Sequence, residues 1–177
     1  MTQPLRQLLL VSLAVACMTP APRALAAPTP SPCASDAQSR QLDFWVGDWA
    51  IGGKGAGATA SSHVSLTLDQ CAVVEQWDGG RGHRGENIFA YSTDDKNWHG
   101  MFVDNEGRVH TFPEGKASPD GVTFTGPGVG ADGAPVLNRV RITRVGPNRV
   151  DQWWEKSSDH GSTWTTAFRG EYSRKNP

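Results

Sequence analysis

The side chains best suited to metal or acid–base chemistry in this 177-residue sequence are its five histidines. They are His63, His83, His99, His110 and His160, and they share no spacing typical of metal ligands. His99 and His110 flank a turn at 105–107 and could face each other, but partly exposed strand histidines are the commoner case. The sequence also lacks a nucleophile elbow, a zincin helix motif, a phosphate-binding loop and a Cys-x-x-Cys pair. We therefore predict no metal, no cofactor and no enzymatic activity.

Three carboxylates leave a weaker, catalytic alternative. Glu75, Asp104 and Glu155 lie in segments where apolar and polar residues alternate. One of them, together with an arginine, could serve a hydrolase or an isomerase. This hypothesis requires two such groups within hydrogen-bond reach inside one cavity.

The alternation itself gives a stronger signal. Every second residue of a strand faces the same side of a sheet, and several segments place aromatic and polar residues on one such face. Apolar walls with a few orienting polar groups are the usual make-up of a small-molecule pocket. We therefore predict an interior site for a small hydrophobic or aromatic ligand. The candidate residues are Glu75, Trp77, Asn87, Phe89, Tyr91, Trp98, Phe102, Arg141, Gln152 and Trp154.

A filled interior is the competing interpretation of the same faces. A small barrel can fill itself with large side chains. A buried Glu75 would then need a partner, since an unpaired buried charge is unfavourable, and Arg141 is a candidate. Arg139, Arg141 and Thr143 share one face of the eighth predicted strand.

The elements that would position these residues are strands. All 20 glycines lie from Gly47 onward, among short apolar–polar alternations. Turn signals at 94–97, 105–107, 119–121 and 147–148 link neighbouring segments. The pattern predicts an all-β fold, an antiparallel up-and-down barrel of about ten strands. The predicted strands are 48–53, 61–69, 72–77, 86–92, 98–104, 108–112, 122–125, 136–145, 150–155 and 163–172.

Two other segments carry structural signals. A short helix is expected from Ser35 or Asp36, ended by Gly47. Residues 126–135, rich in glycine and proline, are expected to form a long hairpin loop or a flap at the barrel mouth. Residues 157–164 match Ser-x-Asp-x-Gly-x-Thr-Trp and resemble the Asp-box hairpin of sialidase-type propellers. In that hairpin the carboxylate accepts turn amides, but the chain is too short for a propeller of at least about four blades.

The N-terminal segment has the features of a secretory signal. Arg6 is followed by an apolar run at 8–18 and by Ala24-Leu25-Ala26, so residues 1–26 are predicted to be a signal peptide. The run is too short to span a bilayer. A lipid-modified Cys17 is the alternative form of export. Residues 27–34 are expected to be a disordered spacer before a single domain at 35–177, in a periplasmic or secreted protein.

Cysteines and charge add two further expectations. Cys33 and Cys71 are an even pair in a chain predicted to be exported, which favours a disulfide between them. The formal net charge is −1, and the sequence has no block of lysine and arginine. A nucleic-acid partner is therefore not expected.

The start of the first strand, Gly47-Asp48-Trp49, resembles that of lipocalins and other calycin barrels. The chain is more similar to a lipocalin-like domain of unknown function found in exported bacterial proteins. The blocks that carry the resemblance are 44–49 (FWVGDW), 71–77 (CAVVEQW), 102–107 (FVDNEG), 152–155 (QWWE) and 159–164 (DHGSTW).

The resemblance implies that Trp49 closes the barrel base under an arginine of the last strand, with Arg169 preferred over Arg174. Calycin relatives bind lipids, retinoids or, in the nitrobindin branch, haem. A haem role is disfavoured here because the C-terminal strands offer no inward histidine. A structural or interaction module of the cell envelope, with a filled core and an exposed apolar patch, is the main alternative to ligand binding.

Overall fold

The computed structural model describes residues 31–175. The predicted signal peptide, Cys17 and the first part of the spacer lie outside the described residues. Within residues 31–175, no helix has both the length and the apolar character needed to cross a membrane.

Ten antiparallel strands form one closed barrel. Each strand pairs with its neighbours in the chain, and β1 also pairs with β10, which closes the sheet. The all-β, up-and-down prediction is therefore confirmed. The strands are β1 (Gly47–Gly52), β2 (Ser61–Thr67), β3 (Ala72–Asp78), β4 (Arg84–Ser92), β5 (Asn97–Asp104), β6 (Val109–Ser118), β7 (Gly121–Val129), β8 (Pro135–Gly146), β9 (Arg149–Ser157) and β10 (Thr165–Arg174).

The barrel has two ends, which we call the base and the mouth. The base is the end at which β1 begins and β10 ends. The mouth is the opposite end, formed by the loops 53–60, 79–83, 105–108, 130–134 and 158–164. Residues 126–135, expected to be one long loop, are half strand, and the loop itself is the five residues 130–134. Gly126 packs so closely on the backbone of Thr111 that a larger side chain would not fit, and β7 continues to Val129 by pairing with β8.

The segment before β1 crosses the base and differs from the prediction. The helix is a single turn, α1 (Pro32–Ser35), and its first three residues belong to the segment expected to be spacer. It ends at Asp36, because that carboxylate accepts hydrogen bonds from the backbone and hydroxyl of Ser39 and forms a local turn. A 3₁₀ turn (Asp43–Trp45) follows, and the longer helix from Ser35 does not form.

A disulfide joins Cys33 to Cys71, as predicted, with 5.0 Å between the two Cα atoms. It ties α1 to the turn between β2 and β3 at the base. Disulfides persist in oxidising compartments, so the bond indicates a location outside the cytoplasm.

Trp49 closes the base, and the arginine over it is Arg174. The Arg174 guanidinium lies 4.3 Å from the centre of the Trp49 ring, and the two residues are paired across β1 and β10. The guanidinium also lies against Gly47, whose φ of 138° favours glycine. The preference for Arg169 was wrong. On β10 the inward residues are Gly170 and Tyr172, so their neighbour Arg169 faces outward and pairs with Asp151 at 3.2 Å.

Large side chains fill the base half of the interior. Trp45, Phe89, Trp98 and Phe124 are almost completely buried there. Phe89 lies directly over Gly100 of the neighbouring strand, where a Cβ atom would clash with its ring. Close packing of this kind leaves no room for a ligand at the base.

The hairpin at 157–164 has the geometry that its sequence predicts. Asp159 accepts hydrogen bonds from the backbone and hydroxyl of Thr163 and from the hydroxyl of Ser157. These bonds, the Thr163 hydroxyl first, lower the pKa of Asp159 to about 2. The carboxylate shapes one rim of the mouth.

Candidate ligand cavity

A cavity of about 210 Å³ lies between the packed base and the mouth. Its walls are the rings of Trp77, Phe102, Trp154 and Phe168. The side chains of Asn87, Val140 and Gln152 line it as well, together with His83, Gly55 and Ala167 near the mouth. It adjoins a wider cleft of about 700 Å³, which adds Arg108, His110 and Lys156 to the lining.

Edge-to-face contacts hold the aromatic walls in place. Trp77 packs on Phe168 at 5.8 Å and on Phe102 at 6.2 Å between ring centres. Trp154 packs on Phe102 at 5.6 Å, and its indole Nε1 donates to Asn138 Oδ1 at 2.9 Å. Aromatic pairs of this geometry are stabilising beyond their burial, so the cavity is preformed.

Glu75 lies beside the cavity, at the centre of the barrel and with no exposure to solvent. Its Oε1 contacts the hydroxyls of Ser62 and Tyr172, both at 2.8 Å. Its Oε2 accepts from the amides of Asn87 at 2.7 Å and Gln152 at 3.4 Å. No described arginine reaches it, so the predicted pairing with Arg141 was wrong, and neutral hydrogen-bonding groups satisfy the carboxyl instead.

The hydrogen-bond partners of Tyr172 favour a protonated Glu75. The phenol has one proton, but its oxygen lies 2.8 Å from two acceptors, Oε1 of Glu75 and Oε1 of Gln152. A proton on Glu75 Oε1 resolves this, because Glu75 then donates to Tyr172 and Tyr172 donates to Gln152. Burial raises the pKa of Glu75 and outweighs its hydrogen bonds, which agrees with the neutral form.

A polar cluster stands at the rim of the wider cleft. Oδ2 of Asp104 lies 3.0 Å from Nε2 of His83 and 2.7 Å from Nε of Arg108. Burial raises the pKa of Asp104, but the hydrogen bonds from His83 and Arg108 outweigh it and hold that pKa well below its usual range. The carboxyl is therefore ionised and compensated by Arg108.

The same cluster contains the one set of donor atoms in residues 31–175 that could hold a metal ion. Ligand atoms of His83, Asp104 and Glu106 lie within 4.8 Å of one another. Arg108 already lies against all three: its Nε donates to Asp104, and its Nη2 lies 2.8 Å from Glu106 and 3.0 Å from Nε2 of His83. The guanidinium thus takes the position of a cation.

His99 and His110 do not face each other. His110 points inward beside Trp154, with 4.7 Å between the ring centres, and burial lowers its pKa. His99 alternates with the inward residues Trp98 and Gly100, so it lies on the outer face and contacts Asp95 at 2.8 Å.

Five of the ten predicted ligand-binding residues meet at the cavity: Trp77, Asn87, Phe102, Gln152 and Trp154. Four others lie inside the barrel but do not line the cavity. Glu75 is sealed within its hydrogen bonds, Phe89 and Trp98 belong to the packed base, and Tyr91 packs on Trp98 at 6.0 Å. Whether the five bind a ligand stays a prediction.

Arg141 is the tenth, and its predicted inward orientation was wrong. On β8 the buried residues are Asn138, Val140 and Ile142, so Arg139, Arg141 and Thr143 face outward. Arg139 and Arg141 both bind Glu155, at 2.8 and 2.9 Å. Arg141 also lies over the ring of Trp153 at 4.3 Å. Arg141 therefore pairs with a glutamate, but that glutamate is Glu155 on the outer face.

The sequence interpretation missed Phe168, Tyr172 and His83. Phe168 and Tyr172 share their face of β10 with Gly170, so alternation could have placed both inside. His83 lies in the loop between β3 and β4, where no periodicity applies.

The fold and the site together define a closed ten-stranded antiparallel barrel with an aromatic cavity near one end. Comparison of the chain with models of known protein families and with curated proteins finds no match.

Proposed function

We propose that the protein binds a small hydrophobic or aromatic molecule in the cavity near the barrel mouth and that it is not an enzyme. The observation that carries this proposal is the meeting of four aromatic rings, from Trp77, Phe102, Trp154 and Phe168, around one space. Their edges and faces offer apolar contact, while the amide of Asn87 offers polar contact at the inner end.

The volume of the cavity limits the size of the ligand. A cavity of 210 Å³ is smaller than the usual range of about 300–1,000 Å³ for ligand pockets. A compact molecule of one or two rings suits it, and a longer substituent could extend into the wider cleft. A haem group is too large for the enclosed part, which weighs against the nitrobindin-like alternative.

The hydrogen-bond partners of the three candidate carboxylates favour ligand binding over catalysis. Both oxygens of Glu75 are engaged by neutral hydrogen-bonding groups, and Asp104 is compensated by Arg108. Glu155 lies on the outer face between two arginines. A reacting carboxylate needs an open position next to its substrate, and these three are occupied by protein groups.

We further propose that the protein is an exported member of the lipocalin-like group, periplasmic or secreted. The ten-stranded meander and the stacking of Arg174 on Trp49 support that assignment. The disulfide and the signal-like residues 1–26 support export.

A second candidate function rests on the outer surface. Ile88 and Met101 are paired across β4 and β5, and Val103 lies next to them on the same face. All three are more than a third exposed. An interaction module of the cell envelope could bury this patch. If it does, Met101→Lys should abolish the association, measured by sedimentation velocity, and leave ligand binding intact.

Titration of the purified protein tests the main proposal. Trp77 and Trp154 line the cavity, so a bound ligand should change their fluorescence. We expect saturable binding of 3-methylindole, weaker binding of dodecanoate and no specific binding of haem. The absence of saturable binding by any small aromatic probe would overturn the proposal.

A further inference from the structure

Asn87 presents an unused acceptor at the cavity. The residue is 7% exposed and lines the cavity beside Glu75. Its Nδ2 donates to Oε2 of Glu75 at 2.7 Å, whereas its Oδ1 accepts no hydrogen bond from any residue between 31 and 175. A carbonyl oxygen in so enclosed a position is usually paired, so this one is a candidate contact for a ligand.

Glu75 fixes which end of the Asn87 amide faces the cavity. Turning the amide over would place Oδ1 at 2.7 Å from Oε2 of Glu75. Because the proton of Glu75 lies on Oε1, next to Tyr172, Oε2 is an acceptor whether the carboxyl is neutral or ionised. Two acceptors at that distance repel each other, so Oδ1 stays turned away from Glu75.

The other amide that lines the cavity, Gln152, has both of its ends in use. Gln152 uses its Nε2 on Glu75 and its Oε1 on Tyr172. The inner end of the cavity therefore offers one acceptor among apolar rings and neutral groups. An ammonium group would lose its hydration there without gaining a charged partner.

We infer that the ligand of this cavity is a flat, uncharged aromatic molecule with an N–H or O–H group at its buried end, such as an indole or a phenol, which donates to Oδ1 of Asn87. This inference rests on the proposed binding function and names the class of ligand. Asn87 touches the ligand, and Glu75 is a positioning residue that acts through Asn87. The rings of Trp77, Phe102, Trp154 and Phe168 select the flat shape.

Two isomers of one compound test the inference on the wild-type protein. 3-Methylindole and 1-methylindole have the same atoms and nearly the same shape, but only the first keeps its N–H. Calorimetric titration should give a dissociation constant about tenfold lower for 3-methylindole, because 1-methylindole leaves Oδ1 unpaired.

Two variants test whether Asn87 causes the difference in affinity between the isomers. Asn87→Leu keeps the volume and removes the acceptor, so the two isomers should bind with nearly equal affinity. Phe168→Leu is the matched control, because it shortens an aromatic wall of the same cavity and removes no polar atom. Both isomers should bind it more weakly, with their ratio preserved.

The results distinguish failure of the inference from failure of the proposed function. Equal affinities for both isomers in the wild-type protein would overturn the inference and leave the proposed function standing. Failure of either isomer to bind at all would overturn the proposed function and the inference with it. The ratio of the two dissociation constants in the wild-type protein tests the inference even if Asn87→Leu does not fold.

Discussion

The hydroxyl of Tyr172 lies 2.8 Å from Oε1 of Glu75, although the two residues are 97 positions apart in the chain. The contact joins β10 to β3 across the interior of the barrel. On one side of it the interior is filled by Trp45, Trp49 and their neighbours, and on the other side lies the aromatic cavity. This pair therefore marks where packing ends and the candidate site begins.

Glu75→Gln should leave the folded protein as stable as the wild type or more stable at pH 7. A glutamine amide can donate to Tyr172 as a protonated Glu75 does, and it needs no bound proton. Burial raises the folded-state pKa of Glu75, so the wild-type protein loses stability as the pH rises from the unfolded-state value, about 4.5, toward the folded-state value. The variant should lack that loss, measured by urea unfolding at a series of pH values.

Glu155→Gln is the control for this comparison. Glu155 binds two arginines on the outer face, so the same substitution should destabilise the protein by about 1–3 kcal/mol at pH 7. Identical pH dependence in wild type and Glu75→Gln would contradict the protonated state of Glu75.

Trp49→Ala should destabilise the barrel without changing its ligand preference. Trp49 is completely buried, and its Nε1 donates to the carbonyl of Trp45 at 2.8 Å. Loss of a core aromatic of this size costs about 3–5 kcal/mol. Chemical denaturation measures the loss. A large shift in ligand affinity in the folded variant would show that the base and the cavity are coupled.

Arg174→Ala and Arg169→Ala distinguish the two arginines of β10. Arg174 donates to the carbonyls of Val46 and Phe44 and stacks on Trp49, so its removal should cost about 1–3 kcal/mol. Arg169 makes a partly exposed ion pair with Asp151, worth about 0–1 kcal/mol. Midpoints of thermal unfolding rank the two variants, and a greater loss in Arg169→Ala would contradict the assignment of Arg174 to the base.

The disulfide should be present in protein purified without reductant. Mass analysis after alkylation should show Cys33 linked to Cys71 and neither thiol labelled. Replacing both by serine should cost about 3–4 kcal/mol by loop entropy for a separation of 38 residues. Two labelled thiols in unreduced protein would be inconsistent with this bond.

The strands could be predicted from the sequence because their signals are local. Period-two alternation and turn residues predicted ten strands, and the observed bounds lie within two residues of the predicted ones except at the C-terminal ends of β6 and β7. The helix prediction failed because Asp36 and Ser39 form a local turn and the chain crosses the base as turns.

The site was less predictable because its geometry depends on contacts between distant residues. Both faces of β8 carry plausible pocket residues, and the buried face turned out to be that of Val140 and Ile142. The partners of Glu75 come from β2, β4, β9 and β10, so no local pattern showed that neutral groups would satisfy it.

Binding to a blocked cavity tests the central claim most directly. Ala167 is exposed and lines the cavity at the mouth, so Ala167→Trp should obstruct it without disturbing the core. Ala50 is exposed on β1 outside the cavity lining, and Ala50→Trp is the matched control. We predict that the dissociation constant for 3-methylindole rises about tenfold or more in Ala167→Trp and stays at the wild-type value in Ala50→Trp. Unchanged affinity in Ala167→Trp, or no saturable binding by the wild-type protein, would contradict the account.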